Sequence, residues 1–127
     1  MKINHIAMYV KDLEKSKNFF IKYFGAKSNE LYHNKKTNFK SYFLSFDDET
    51  RLEIMNKPEI ENKEIGFQKV GYIHIAFSLG SKESVNDLTE KLRNDGYKIL
   101  SEPRTTGDGY YESCILDTEG NEIELTV

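Results

Sequence analysis

Apolar and polar positions alternate along KINHIAMYV, residues 2–10, with Ile6, Met8 and Val10 on one side and Ile3, His5, Ala7 and Tyr9 on the other. Period two with β-branched residues predicts a strand. The period then changes. KDLEKSKNFFIKYFG, residues 11–25, places Leu13, Phe19, Phe20, Tyr23 and Phe24 on one helical stripe, with Asp12 as N-cap and Gly25 as stop. Three strands are predicted next, at 27–33, 39–46 and 50–55, the last two joined by a hairpin turn at 47–50. Residues 56–69, NKPEIENKEIGFQK, are polar and aperiodic, carry Pro58 and Gly66, and read as a linker.

After the linker the pattern restarts. YIHIAFSL, 72–79, predicts a strand, and SKESVNDLTEKLRNDG, 81–96, predicts a helix capped by Ser81, striped by Val85, Leu88 and Leu92, and ended by Gly96. A strand at 97–102, a loop PRTTGDG at 103–109, a strand at 110–117, a turn at 118–121 and a strand at 122–127 complete the chain. Each half thus reads strand, helix, strand, strand, strand. The expected fold is α+β, one domain of two βαβββ modules, 1–55 and 70–127, joined by the linker 56–69.

The duplication carries chemistry. His-Ile-Ala occurs at His5 and again at His74, 69 positions later. The fourth strand of each half holds a glutamate between aliphatic residues, Glu53 in LEI and Glu124 in IEL, 48 and 50 residues after the respective histidine. Neighbours in a strand point to opposite faces. Ile73, Ile75 and Phe77 therefore share the face that packs on a helix, and His74 takes the other with Tyr72 and Ala76. By the same parity Glu53 and Glu124 point away from their aliphatic neighbours. One face of an antiparallel sheet is often simply solvated, and a single histidine there needs no function. Two equivalent histidines with two equivalent glutamates point instead to a site. Two neutral imidazoles and two carboxylates suit a divalent metal such as Zn, Ni, Co, Fe or Mn, the carboxylates matching its charge. An octahedral ion so held keeps two positions for a substrate with neighbouring oxygens, whose enediolate it would stabilise. A carboxylate that releases the metal could move a proton between adjacent carbons.

Composition narrows the classes. The chain has 127 residues, formal charge −3 and interspersed signs, without the basic face that nucleic acid demands. No apolar run approaches the ~20 residues that span a bilayer, and no charged segment followed by an apolar signal core opens the chain. Cys114, the single cysteine, has no internal disulfide partner. The expectation is a soluble cytoplasmic protein with a small-molecule substrate and no nucleic-acid or membrane partner.

The chain resembles the vicinal-oxygen-chelate superfamily, the glyoxalase, bleomycin-resistance and dioxygenase group. The resemblance rests on NHIAMYVKDLEKSKNFFIKYFGAK, on GYIHIAF and on GDGYYESCILDTEGNEIEL, and it covers almost the whole chain. In this superfamily an aspartate, a turn with Gly and Asn, and then IEL lead to the final metal carboxylate. The resemblance implies sheets cupped around the metal. It is greatest to glyoxalase I, lactoylglutathione lyase, which places metal ligands at the positions matched by His5, Glu53, His74 and Glu124. It implies one divalent ion per site (nickel, cobalt or zinc), Glu124 as catalytic base with Glu53 opposite, and a homodimer whose sites lie between subunits. It further implies a lyase or isomerase that carries the hemithioacetal of a 2-oxoaldehyde to a 2-hydroxyacyl thioester through an enediolate. Tyr9 stands where bacterial glyoxalase I usually has an arginine for the glutathione carboxylate, and Asn56 is near, but out of register with, the family's asparagine. The thiol therefore stays open.

Alternatives within the group are an acyl-thioester epimerase, a fosfomycin thiol transferase, an extradiol dioxygenase, or a metal-free drug-binding resistance protein. The transferase and the dioxygenase normally use three ligands, and the binding proteins lack the set. Further substrate-site candidates are Tyr9 and Tyr72 on the ligand faces, Arg104 in the loop, and Tyr111, although either Tyr110 or Tyr111 fits a pocket wall. His33 reads as surface, and Cys114 as a small buried hydrophobe rather than a nucleophile.

Overall fold

In the computed structural model the described residues are 3–58, 72–107 and 109–127. The chain packs as two compact units, Met1–Glu64 and Ile65–Val127. In the first, β1 (His5–Tyr9) leads to α1 (Leu13–Phe24), then β2 (Lys27–Ser28), β3 (Tyr32–Asn34), β4 (Phe39–Ser45) and β5 (Arg51–Asn56). In the second, β6 (His74–Ser78) leads to α2 (Lys82–Asn94), β7 (Ile99–Thr105), β8 (Tyr111–Leu116) and β9 (Glu122–Thr126). Each unit has its own mixed sheet, ordered β1-β5-β4-β2 with β3 beside β4, and β6-β9-β8-β7. The fold is α+β, as the periodicity predicts.

Each helix starts and stops where its sequence provides. The Asp12 carboxylate accepts the Lys15 N–H at 2.9 Å, and the Ser81 hydroxyl accepts that of Ser84 at 3.1 Å. Gly25 ends α1 at φ 64°, a left-handed backbone that glycine adopts without steric cost. The stripe on α1 buries Leu13, Phe19, Phe20 and Tyr23, and the sheet beneath supplies Leu44, Leu52 and Ile54. Phe20 is wholly buried, which alone contributes about 1.5–3 kcal/mol. In the second unit Val85 and Leu92 of α2 bury with Ile115, Ile123 and Leu125. Thr89 joins them because its hydroxyl is satisfied twice, by the Val85 carbonyl at 2.6 Å and by Ser113 at 2.7 Å. Each helix therefore covers one face of its sheet and leaves the other open.

The expected strand 27–33 divides into β2 and β3. Ser28 pairs with Leu44 and Tyr32 with Ser41, so four steps on one side meet three on the other. The ladder breaks at Asn29, whose backbone N–H still donates to the Phe43 carbonyl at 3.1 Å while its side-chain Oδ1 accepts the Phe43 N–H at 2.7 Å. The expected loop 103–109 begins later than its sequence suggests, because β7 continues through Pro103 and Arg104 to Thr105. Proline is tolerated there because the β7–β8 register shifts between Ser101 and Arg104. Of the linker 56–69, residues 59–69 lie outside the described residues, and Asn56 closes β5. No helix among the described residues is long and apolar enough to cross a membrane.

The turn before β9 hangs on Asp117, which is 6% exposed. Its Oδ1 accepts the N–H groups of Glu119 and Asn121, each at 2.8 Å, and Oδ2 accepts from the Asn121 side chain at 2.9 Å. Burial nevertheless pushes the carboxyl above the ordinary aspartate value of 3.8, outweighing those bonds. A carboxyl raised by folding stabilises most below its unfolded value, and that contribution is lost as pH rises through the folded one. Asp117→Ala should cost about 1–3 kcal/mol in urea unfolding at neutral pH by stranding the turn amides. Asp117→Asn, which keeps an acceptor without the charge, should cost far less. Its stability relative to wild type should improve as pH rises from about 3.5 to 7; a relative loss over that range would contradict the burial effect.

Candidate functional site

The open face of each sheet carries one His–Glu pair, and strand register explains both. β1 and β5 run parallel, with His5 opposite Arg51 and Ala7 opposite Glu53. β6 and β9 repeat this, with His74 opposite Glu122 and Ala76 opposite Glu124. Histidine and glutamate thus stand one strand apart and two residues out of step, on the same face. The alanine of His-Ile-Ala lies beside each glutamate and leaves the space over which the two side chains lean together. His5 Nε2 comes to 3.9 Å from Glu53 Oε2, and His74 Nε2 to 3.2 Å from Glu124 Oε2. The glutamates are 15% and 23% exposed and the histidines 40% and 35%, so each pair is open to solvent from the imidazole side.

The surroundings of the two pairs differ. His5 meets the Phe43 ring edge-on at 5.3 Å, and its Nδ1 lies 2.8 Å from Asn4 Oδ1. Arg51 Nη2 donates to the same Asn4 oxygen at 2.7 Å, and its guanidinium lies 4.6 Å over the Phe43 ring. Around Glu124 the environment is acidic. Burial raises its carboxyl above the ordinary range, His74 opposes that, Glu112 and Glu122 add to it, and Arg104 opposes. Such a carboxyl binds a proton more tightly than a solvated one, as a general base requires. Cys114 lies opposite Glu124 on β8. It is half-buried, not fully buried. Burial, reinforced by Glu122, Glu124 and Glu112, pushes its thiol up to about 11, so it stays protonated at neutral pH and is no nucleophile.

The other sequence candidates separate. Arg104 is a strand residue opposite Glu112, which shares a face with Cys114 and so with Glu124. Its Nη1 donates to Ser101 Oγ at 2.8 Å and stands 3.9 Å from Glu112 Oε1, leaving the guanidinium half exposed. Tyr9 shares the His5 face and is partly exposed, with the Lys57 ammonium 5.2 Å from its ring centre. Tyr72, ahead of β6, is fully exposed. Tyr111 departs from the expectation of a pocket wall. Its hydroxyl donates to Asn86 Oδ1 at 2.8 Å and Lys82 lies over its ring, which commits it to the α2 side of the sheet. Asn56 is structural, donating from Nδ2 to the Val10 and Lys11 carbonyls. His33 is exposed and bonds Asn38. Asn4 and Arg51 escaped the sequence reading, because their partnership is a cross-strand one between positions 47 residues apart.

Among the described residues no group of three or more His, Cys, Asp or Glu is gathered closely enough to hold a metal ion. Each pair by itself offers two donors, one imidazole and one carboxylate, of the kinds that zinc, nickel and cobalt accept.

The family pattern of the Glyoxalase/Bleomycin resistance protein/Dioxygenase superfamily matches residues 2–125. This chain belongs to that superfamily. Its members commonly bind small molecules and a divalent metal. The uncharacterized protein YqjT of Bacillus subtilis is 31% identical over 129 residues, 97% of this chain and 96% of YqjT. Among solved structures, a glyoxalase family protein of Enterococcus faecalis superposes with TM-score 0.80 at 21% identity, covering 99% of this chain and 97% of that one. Glyoxalase I of Leishmania major, a trypanothione-dependent enzyme, gives 0.79 at 22%, covering 99% and 86%. Glyoxalase I of Zea mays gives 0.78 at 23%, covering 98% of this chain but only 44% of the maize enzyme, so this superfamily member spans less than half of that protein.

Proposed function

We propose that this superfamily member is a metal-dependent lyase or isomerase of the glyoxalase I type. The reading is carried by the repeated His–Glu pair, built at the same register in both sheets and always on the face the helices leave bare. His5 and Glu53 from one protomer, with His74 and Glu124 from its partner, supply the four donors of one divalent ion, nickel, cobalt or zinc, since no such group gathers among the described residues of a single chain. When bound, that ion supplies Lewis acidity toward the neighbouring oxygens of a hemithioacetal.

The chain's own residues do the rest. Glu124, whose carboxyl burial makes more basic, takes the proton from the carbon bearing the thiol and returns it to the adjacent carbon. That transfer turns the hemithioacetal of a 2-oxoaldehyde into a 2-hydroxyacyl thioester by way of an enediolate. Glu53 serves as the other carboxylate ligand, the role the glyoxalase I resemblance implies for it. Arg104, on the Glu124 face, holds an anionic group of the thiol portion, while Tyr9 and Tyr72 supply wall surface. The enzyme works in the cytoplasm as a homodimer, the arrangement that the glyoxalase I resemblance implies. A thioester epimerase is the second reading. It uses the same donors and proton transfer, and it is favoured by Tyr9 at the position where bacterial glyoxalase I usually carries an arginine for glutathione.

The metal-loaded protein, given methylglyoxal with a panel of thiols, should form a thioester, followed by its ultraviolet absorbance. No thioester with any thiol would refute the substrate. Glu124→Gln should lower kcat by about 100-fold or more, the loss expected of a general base. Arg104→Gln should raise KM on the order of 10-fold or more for thiols bearing a carboxylate, with little change for neutral ones. An equal loss with both would remove Arg104 from substrate recognition. Element analysis should find the ion retained by wild type and lost from His74→Ala; equal metal content would remove His74 from the donor set.

A further inference from the structure

The first repeat carries a device that the second lacks. Asn4 Oδ1 is an acceptor held from two sides, by Arg51 Nη2 at 2.7 Å and by His5 Nδ1 at 2.8 Å. Arginine only donates, so its bond fixes which end of the Asn4 amide faces the cluster. An amide oxygen only accepts, so the neutral His5 ring must carry its proton on Nδ1 to make this contact. The proton-free nitrogen is then Nε2, the atom turned toward Glu53. Lone pairs of the Glu53 carboxylate and of Nε2 face each other with no hydrogen between them, which fits their 3.9 Å separation, too long for a hydrogen bond. Phe43 completes the cluster, since its ring lies under the Arg51 guanidinium at 4.6 Å and beside His5 at 5.3 Å. Arg51 is thereby steadied by a cation–π contact, and the imidazole cannot swing away without losing both its bond and its edge contact.

We infer that Asn4, clamped by Arg51, is a positioning residue that presets His5 as the Nδ1–H tautomer and presents a bare Nε2 to a divalent cation. The tautomer follows from the cluster alone. Only its purpose rests on the proposed function, in which His5 is a metal ligand. A ligating imidazole gains affinity when its other nitrogen donates to a fixed acceptor. Without such a partner neutral imidazole distributes its proton over both nitrogens, and the ligand must be reorganised at binding.

The repeat supplies an internal control. Ile73 precedes His74 where Asn4 precedes His5, and Glu122 stands two residues before Glu124 where Arg51 stands two before Glu53. The clamp therefore belongs to the first repeat alone.

Nitrogen-15 NMR of the metal-free protein, at about pH 8 where ordinary imidazoles are neutral, reads each tautomer directly. His5 should show a protonated Nδ1 and an unprotonated Nε2. Asn4→Leu should shift His5 toward a mixture and leave His74 unchanged, while Asn4→Asp, which retains an accepting oxygen, should preserve the wild-type pattern. Arg51→Leu should give a partial shift. Nickel affinity, measured by competition with a chelator, should fall about 10- to 100-fold in Asn4→Leu and much less in Asn4→Asp. His5 found with its proton on Nε2 in wild type, or unchanged in Asn4→Leu, would overturn the proposal. If the tautomer responds as described but nickel binds no variant and not the wild type, the clamp stands as a tautomer device. The reading of His5 as a ligand then falls separately.

Discussion

The structure depends on parallel pairing between the first and last strands of each unit. A parallel partner must be reached by a crossover, and in each unit that crossover begins with a helix laid on one face of the sheet. That helix needs aliphatic residues beneath it, and Ile54 and Leu52, or Ile123 and Leu125, provide them. Alternation then forces whatever lies between those aliphatics onto the uncovered face. Glu53 and Glu124 lie on the uncovered face because their neighbours are required for packing. The histidines follow by the same rule, and a two-residue offset across the pair brings imidazole and carboxylate together over a small alanine.

Electrostatics gives this geometry its use. A carboxylate beside an unprotonated imidazole nitrogen is a meeting of two acceptors, tolerable in water and well suited to a shared cation. The second unit sharpens the effect. Glu112, Glu122 and Glu124 share one face with Cys114 and Arg104, and burial holds Glu124 above the ordinary carboxylate range. Repulsion among such carboxylates favours anything positive that enters, whether a proton or a metal ion. Arg104 tempers that field at one edge. The first unit is closer to neutral, because Arg51 takes the place that Glu122 holds in the second.

Much of this was legible along the chain. Period-two and period-3.6 patterns located both helices, and Asp12, Gly25 and Ser81 cap or close them as their residue types require. The repeated His-Ile-Ala and the glutamates between aliphatics marked the faces, since parity is a local property. What escaped was set by register, which no local pattern encodes. The division of strand 27–33 follows from a side chain, Asn29, taking over a bond from the ladder. Arg104 reads as a loop residue because Pro103 precedes it, yet a register shift lets the strand pass through. Tyr110 and Tyr111 are equivalent to periodicity alone, and the hydrogen bond from the Tyr111 hydroxyl to Asn86 separates them. The Asn4–Arg51 clamp joins two residues that periodicity treats as ordinary surface.

The central claim is that two repeated His–Glu pairs serve one divalent ion. X-ray absorption at the metal edge of the nickel-loaded protein tests it most directly, because imidazole rings scatter recognisably in the outer shell. The claim predicts two imidazoles with oxygen donors completing the shell, and a single imidazole in both His5→Ala and His74→Ala. A wild-type spectrum with one imidazole or none, or one that neither substitution alters, would contradict it.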